Sequence, residues 1–383
     1  MTALRIAFVA LGFPPDVGGT ELYNAEYARQ LAARGHDLRL FTWSEGRPAE
    51  RTADAAFDFP IQRVPLLRVG AGFSSSGLEV WLREVAPDVV FVSRASRLLE
   101  RVVPVAYPFA PVVVSVHELG GKHTRRGPIG RWRVRRRYGL HGATRIVVNS
   151  QNTADRVATL RPNAPIEVVH PGVDTAAFTP DPSARAAARE KLGLGERPVL
   201  LTVSRIAANK GHVRVIEAMA QLRDAFPDLL YLIVGTGGEQ AALEARAAAL
   251  GLGSAVRFEG GVPDTREYYR AADCYVMPSG RTAPGKAGEG FGISYVEAGS
   301  SGLPVIASAS GGGTEIVVDE HTGYLVDPHD VSALAGALRR VLADPERARA
   351  MGEVGRERCA RFDWERGTDA LEATLLRATG RQA

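Results

Sequence analysis

The sequence predicts an α/β protein made of two doubly wound parallel-sheet domains, and three observations predict it. Short apolar runs alternate with amphipathic helical stretches along all 383 residues, a length that exceeds one ordinary core. The apolar runs are nearly continuous in Val, Ile, Leu and Phe, as expected of parallel strands buried on both faces. The alternation then stops at a turn-rich stretch and starts again, so the chain reads as two successive strand-helix arrays.

In the first array strands are expected at 5–10, 38–43, 89–93, 112–116, 145–149 and 166–169. Helical spacing covers 20–33 and 150–160, with Thr20 and Ser150 standing as N-caps. The boundary falls in Pro171-Gly-Val-Asp-Thr-Ala-Ala-Phe-Thr-Pro-Asp-Pro, where turn residues cluster, and it separates domains 1–172 and 173–364. The second array places strands at 199–204, 229–234, 256–259, 274–277, 304–307 and 323–326. Its helices are expected near 211–226, 239–250, 293–301 and 331–342. After Phe362-Asp-Trp364 a helical pattern follows with no further strand, fit to cap either domain.

Composition narrows the classes. With 45% hydrophobic and 23% charged residues the chain is globular rather than disordered. Cys274 and Cys359, the two cysteines, lie in apolar or helical contexts, so a disulfide framework is not expected and a reducing cytosol fits. The apolar run from Arg5 is too short for a secretory leader and reads as a first buried strand. The longest apolar run, 102–116, holds three prolines and is too short to span a bilayer. The expectation is a cytoplasmic protein, at most peripheral at the inner face of the plasma membrane.

The net charge of +4 is unevenly spread. Lys122, Arg125, Arg126, Arg131, Arg133, Arg135, Arg136 and Arg137 contribute eight positive charges with no acid among them, and subtracting these eight leaves −4 for the rest. Ile129, Trp132 and Val134 are interleaved with them, and Tyr138 and Leu140 follow directly. Residues 125–137 suit an anionic membrane surface, would equally suit nucleic acid, and read as well as a solvated helix face.

The densest chemistry lies in Glu289-Gly-Phe-Gly-Ile-Ser-Tyr-Val-Glu297. Two carboxylates, acceptors for sugar hydroxyls, bracket a glycine turn that opens into a helix. The backbone N–H groups of such a start favour phosphate. Upstream, Ser204-Arg-Ile-Ala-Ala-Asn-Lys-Gly211 puts Arg205 and Lys210 after a strand, at the carboxyl end where open α/β sheets bind ligands. Two fixed cations there would stabilise a departing diphosphate. Gly18-Gly19 follows the first strand and precedes a helix, so it reads either as an anion-binding turn or as plain turn geometry. His117 ends the fourth strand and reads either as a ligand to a substrate hydroxyl or as a structural residue. Two apparent motifs fail. Gly280 to Lys286 has P-loop spacing, but Ala287 replaces the magnesium-binding hydroxyl; Gly235-Thr-Gly237-Gly238 lacks the spacing of a dinucleotide fingerprint. No Asp-x-Asp pair occurs.

Taken in order, Gly18-Gly19, His117, the Arg205 to Gly211 segment, Gly235-Thr-Gly237, Glu289-x7-Glu297 and Gly311-Gly-Gly-Thr-Glu315 resemble the retaining glycosyltransferases of family 4 over nearly the whole chain. The loop 277–288 is similar to that of phosphatidylinositol mannosyltransferases. The resemblance implies the GT-B fold: two Rossmann-like doubly wound parallel-sheet domains facing across a cleft, with a C-terminal helix at 365–380 packing back on the first. It implies transfer of a hexose from a UDP- or GDP-sugar to a glycan, lipid-linked or small-molecule acceptor. The alternative is a nucleotide-sugar epimerase or hydrolase of the same fold.

Roles follow from the same resemblance. His117, Arg205, Lys210 and Glu289 would serve catalysis: the two cations on the diphosphate, Glu289 on the sugar hydroxyls, His117 on the sugar near C6. Glu297 would hold the ribose. Backbone groups of Gly290, Phe291, Gly292, Ile293 and Ser294 would meet sugar and phosphate, Val262 would border the base, and Gly18, Gly19 and Gly235 would complete the sugar-nucleotide site. Front-side attack needs no protein nucleophile. No metal and no cofactor are expected beyond the sugar nucleotide, and no nucleic-acid partner. His117-Glu118 stands where the family has His-Asp, a departure on the acceptor side.

Overall fold

The computed structural model describes residues 3–16, 18–65, 68–69, 72–73, 77–93, 99–119, 127–280 and 289–381, with the backbone alone at 68–69, 72–73 and 99–100. The chain divides into two units, Met1–Gly172 with Trp364–Ala383, and Val173–Asp363.

The first unit runs β1 (Arg5–Ala10), α1 (Gly19–Ala33), β2 (Asp37–Ser44), α2 (Pro48–Asp54), β3 (Ile61–Pro65), β4 (Arg68–Val69), β5 (Gly72–Phe73), α3 (Leu78–Val85), β6 (Val89–Ser93), α4 (Leu99–Ala106), β7 (Val112–Val116), α5 (Pro128–Arg137), β8 (Arg145–Val148), α6 (Gln151–Ala158) and β9 (Ile166–Val168). Its sheet has the order β3-β2-β1-β6-β7-β8-β9, with every pair parallel; β4 and β5 form a separate antiparallel ribbon. Alternation along β1 feeds two layers. Ile6, Phe8 and Ala10 pack with Tyr23, Tyr27 and Leu31 of α1, while Ala7 and Val9 pack on the other face with Leu78 and Leu82 of α3 and Val102 of α4.

The second unit runs α7 (Pro182–Lys191), β10 (Val199–Val203), α8 (His212–Leu222), β11 (Leu230–Val234), α9 (Gln240–Ala249), β12 (Val256–Gly260), α10 (Arg266–Ala271), β13 (Cys274–Met277), α11 (Ile293–Ser300), β14 (Val305–Ser308), α12 (Gly313–Ile316), β15 (Gly323–Val326), α13 (Val331–Ala343) and α14 (Pro345–Cys359). Its sheet is again parallel throughout, in the order β12-β11-β10-β13-β14-β15. Leu200, Tyr231, Ile233 and Val276 face one helical layer, and Leu201, Leu232, Tyr275 and Met277 face the other. The last helix, α15 (Trp364–Ala378), belongs to the first unit.

Two expectations are corrected, and two elements carry no readable sequence pattern. Thr20 is not the cap of α1: the helix starts at Gly19, its N-cap is Gly18, and no side chain caps it. Trp364, expected to close the second domain, belongs to the first unit, where its ring meets Tyr27 edge-on at 5.3 Å. Strand β3 was absent from the expected set because it is an edge strand with only intermediate or exposed residues and so lacks an apolar run. Helix α14 was missed because it buries mainly small residues; a Cβ at Gly352 would lie 1.9 Å from the Gly302 carbonyl. Ser150 does cap α6, accepting from the Thr153 N–H at 3.1 Å.

Candidate functional site

The order of the second sheet locates the site. From β10 the chain lays down β11 and β12 on one side, then returns to place β13 on the other. The strand order reverses between β10 and β13, and open α/β sheets bind ligands at the carboxyl ends of the strands at such a point. The loop after β10 carries Arg205 and ends in a 3-10 turn, Ala208–Lys210. The loop after β13 begins with Pro278 and Ser279. Gly211 joins them: its φ is +83°, and a Cβ there would lie 2.5 Å from the Pro278 carbonyl oxygen. The Gly280 N–H donates to the Asn209 carbonyl at 2.9 Å, tying the two loops again.

Glu289 reaches this junction. Its Oε2 lies 2.5 Å from Lys210 Nζ and accepts from Ser279 Oγ at 3.3 Å. The two charged side chains are only 13% and 17% exposed. Burial pushes the Glu289 carboxyl up, but the Lys210 charge and hydrogen bond, the Ser279 hydroxyl and the Arg205 charge together hold it below the usual carboxylate range. It is an ionised acceptor at neutral pH. Arg205 is exposed, and its guanidinium makes no hydrogen bond or ion pair among the described residues.

Glycines hold the Glu289 backbone. The Gly312 N–H donates to its carbonyl at 3.1 Å, and a Cβ on Gly311 or Gly312 would fall 2.8 Å from Glu289 O or 2.3 Å from Phe291 Cα. Gly292, at φ +100°, turns the chain into α11. Phe291 is buried, packing on Phe362, so only its backbone faces the turn. Ile293 and Ser294 then open the first turn of α11, where backbone N–H groups have no intrahelical acceptor. Glu297 lies one turn further on, half-buried, with Oε2 accepting from Tyr269 Oη at 2.6 Å. Burial raises this carboxyl, and the Tyr269 bond offsets only part of the rise.

Below the loop after β10 sits a buried polar chain. The Thr202 hydroxyl donates to the Val276 carbonyl and meets Tyr231 Oη at 2.8 Å; Tyr231 Oη meets His212 Nδ1 at 2.9 Å; His212 Nε2 meets Ser204 Oγ at 3.2 Å. Burial drives the His212 pKa down to about 4, so the ring is neutral at physiological pH. Gly235 plays a bracing part: a Cβ there would lie 2.0 Å from the Ser204 carbonyl, so only glycine lets the loop after β11 support the loop after β10. Val262 is half-buried in the loop after β12.

Arg205, Lys210, Gly235, Val262, Glu289, Gly290 to Ser294 and Glu297 thus share the carboxyl end of the second sheet. Gly18, Gly19 and His117 belong to the first unit. Gly18 is extended, with φ 169°. His117 follows β7, half-buried, with Nε2 2.9 Å from Ser115 Oγ and its ring edge-on to Tyr23 at 4.3 Å. Its carbonyl accepts from Asn149 Nδ2 at 3.0 Å. On α5, Ile129 and Trp132 are exposed at 70% and 41%, Val134 is buried, and Arg135 is committed to the Arg161 carbonyl. Lys122, Arg125, Arg126 and residues 281–288 lie outside the described residues. Sequence reasoning missed Ser279, Tyr269, Tyr275, Tyr231 and His212; each belongs to a different element from the group it holds, so no local spacing announces it.

Comparison with known proteins gives two family matches, Glycosyltransferase Family 4 over residues 17–177 and Glycosyl transferases group 1 over residues 184–358. A GDP-mannose-dependent alpha-(1-6)-phosphatidylinositol monomannoside mannosyltransferase of Mycolicibacterium smegmatis is 34% identical, over 97% of this chain and 98% of its own. A D-inositol 3-phosphate glycosyltransferase of Acidothermus cellulolyticus is 30% identical, over 97% of this chain and 89% of its own. The Anabaena protein HepE, solved in complex with UDP-glucose, matches with a TM-score of 0.79 at 22% identity, over 98% of this chain and 100% of its own. A glycosyltransferase of Rickettsia africae matches with a TM-score of 0.80 at 18% identity, over 97% and 98%. These likenesses show the GT-B fold.

Proposed function

Because this chain belongs to the family 4 and group 1 glycosyl transferases, we propose that it moves a hexose from a UDP- or GDP-sugar to an acceptor hydroxyl, with retention and without a metal. The observation that carries this reading is the Lys210–Glu289 pair, 2.5 Å apart, with exposed Arg205 on the adjoining loop at the β10/β13 switch point. Two cations, Lys210 held by Glu289 and Arg205 exposed beside it, stabilise a diphosphate as charge develops on it. Ionised Glu289 accepts from sugar hydroxyls, Glu297 from the ribose, and main-chain amides at the start of α11 meet the phosphates. The departing phosphate takes the acceptor proton, so the chemistry needs no protein nucleophile. The relatives named for GDP-mannose favour a guanine nucleotide and a glycolipid acceptor. Thermal shift against UDP, GDP, ADP and dTDP tests the reading, since a ligand of the native state raises the melting temperature. If none of the four raises it, the reading fails.

The acceptor is met at an anionic membrane face in this reading. Helix α5 carries Arg131, Arg133, Arg135, Arg136 and Arg137 without an acid, beside exposed Ile129 and Trp132. Among the described residues no helix is long and apolar enough to cross a membrane, so this contact is peripheral. The location implied is the cytoplasmic face. The chain should sediment with anionic vesicles; equal sedimentation after Arg131, Arg133, Arg136 and Arg137 are changed to Ser removes the membrane contact.

A further inference from the structure

Two buried tyrosines lie under α11. Tyr269 on α10 and Tyr275 on β13 are fully buried and stack with centroids 5.9 Å apart and 24° between ring planes. Tyr269 Oη donates to Glu297 Oε2 at 2.6 Å, and Tyr275 Oη donates to Ser294 Oγ at 2.7 Å. Tyr275 Oη is also 3.3 Å from the Val203 carbonyl, but the shorter contact takes its single proton. Ser294 and Glu297 are three residues apart on one helix and share a face. Both residues are half-buried.

The two phenols act in the same sense with different results. Burial holds both hydroxyls protonated far above their ordinary range, so each is a permanent donor to its partner. Ser294 Oγ therefore accepts from below, and its own proton makes no hydrogen bond among the described residues. Glu297 has Oε2 engaged, while Oε1 makes no hydrogen bond among the described residues. One side chain presents a proton and the other presents lone pairs. An anionic diphosphate oxygen has no proton and needs the first; a ribose hydroxyl suits the second.

We propose that the stacked pair Tyr269–Tyr275 sets the hydrogen-bond polarity of the sugar-nucleotide site. It fixes Ser294 as a proton donor for the diphosphate and Glu297 as an acceptor for the ribose. The two tyrosines are positioning residues that never touch the ligand. The inference rests on the reading that the second unit binds a nucleoside diphosphate.

Calorimetric titration with GDP, guanosine and 2′,3′-dideoxy-GDP, and with the uridine series alongside, tests it. Tyr275→Phe should weaken GDP about tenfold and leave guanosine unchanged; Tyr269→Phe should weaken GDP about tenfold and leave dideoxy-GDP unchanged. Ser294→Ala and Glu297→Ala, which alter half-buried groups, should repeat those two patterns and decide the matter if a tyrosine variant does not fold. In the Glu297→Ala background, Tyr269→Phe should add nothing. No loss, or equal losses on all three ligands, overturns the proposal. A wild-type chain that binds neither GDP nor UDP overturns the functional reading itself.

Discussion

Lys210 holds the buried Glu289 carboxyl ionised before either meets a ligand. Burial alone would lift the carboxyl; the ammonium 2.5 Å away reverses it. Lys210→Ala should therefore lower kcat by about 10²-fold or more, the usual cost of one lost transition-state donor. Near-normal kcat in a steady-state assay would remove the assignment. Glu297 behaves oppositely, because burial meets only one phenol hydrogen bond. As pH falls, Glu297 takes a proton while Glu289 is still ionised. Sugar-nucleotide KM should then rise on acidification in the wild type and stay flat in Glu297→Gln, measured by initial rates from pH 8 to pH 5. His212 gives a stability prediction. Between its ordinary pKa of 6.5 and about 4, the unfolded chain binds a proton that the folded chain refuses. Stability is thus full above 6.5 and falls as pH drops toward 4, by roughly 2–3 kcal/mol across the window. Unfolding of wild type and His212→Gln at pH 7 and pH 5 checks this: the variant should be the less pH-sensitive of the two.

At the scale of elements, the entry to α11 is the most constrained segment of the site. Three contacts meet there: the Gly312 N–H on the Glu289 carbonyl, Phe291 against Phe362, and Tyr295 Oη donating to the Met277 carbonyl at 2.6 Å. Gly312→Ala would drive a Cβ to 2.3 Å from Phe291 Cα, backbone that cannot yield without moving Glu289. The variant should fold with a lowered melting temperature and lose sugar-nucleotide binding; calorimetry showing wild-type affinity would contradict that. The spacing Glu289-x7-Glu297 and the glycines after β14 were legible in the sequence because one loop and one helix hold them. The partners were not. Tyr269 reaches Glu297 from α10, and Ser279 reaches Glu289 from the end of β13. A pattern within one element cannot announce a hydroxyl that arrives from another.

For the whole molecule, α15 completes the first unit although 191 residues of the second unit intervene. Trp364, Leu371, Leu375 and Leu376 join the layer formed by Ile6, Phe8 and Tyr27. Arg34 Nη1 pairs with Glu372 Oε2 at 2.7 Å. Four such side chains contribute about 2 kcal/mol each, comparable with the entire stability of a domain. Deleting 364–383 should leave the first unit unable to fold cooperatively while the second still melts as a unit, resolved by calorimetric unfolding of the truncated chain. The parallel strands were readable because both faces are buried, which writes an unbroken apolar run. Strand β3 and helix α14 were not, since an exposed edge and a glycine-alanine seam leave no such run. The sequence alone determined two parallel-sheet arrays and the charged residues at the strand ends, because burial and loop position leave local patterns. Only the tertiary structure decided which charges pair, which hydroxyls point them and which unit takes the last helix, because those depend on contacts between segments distant along the chain.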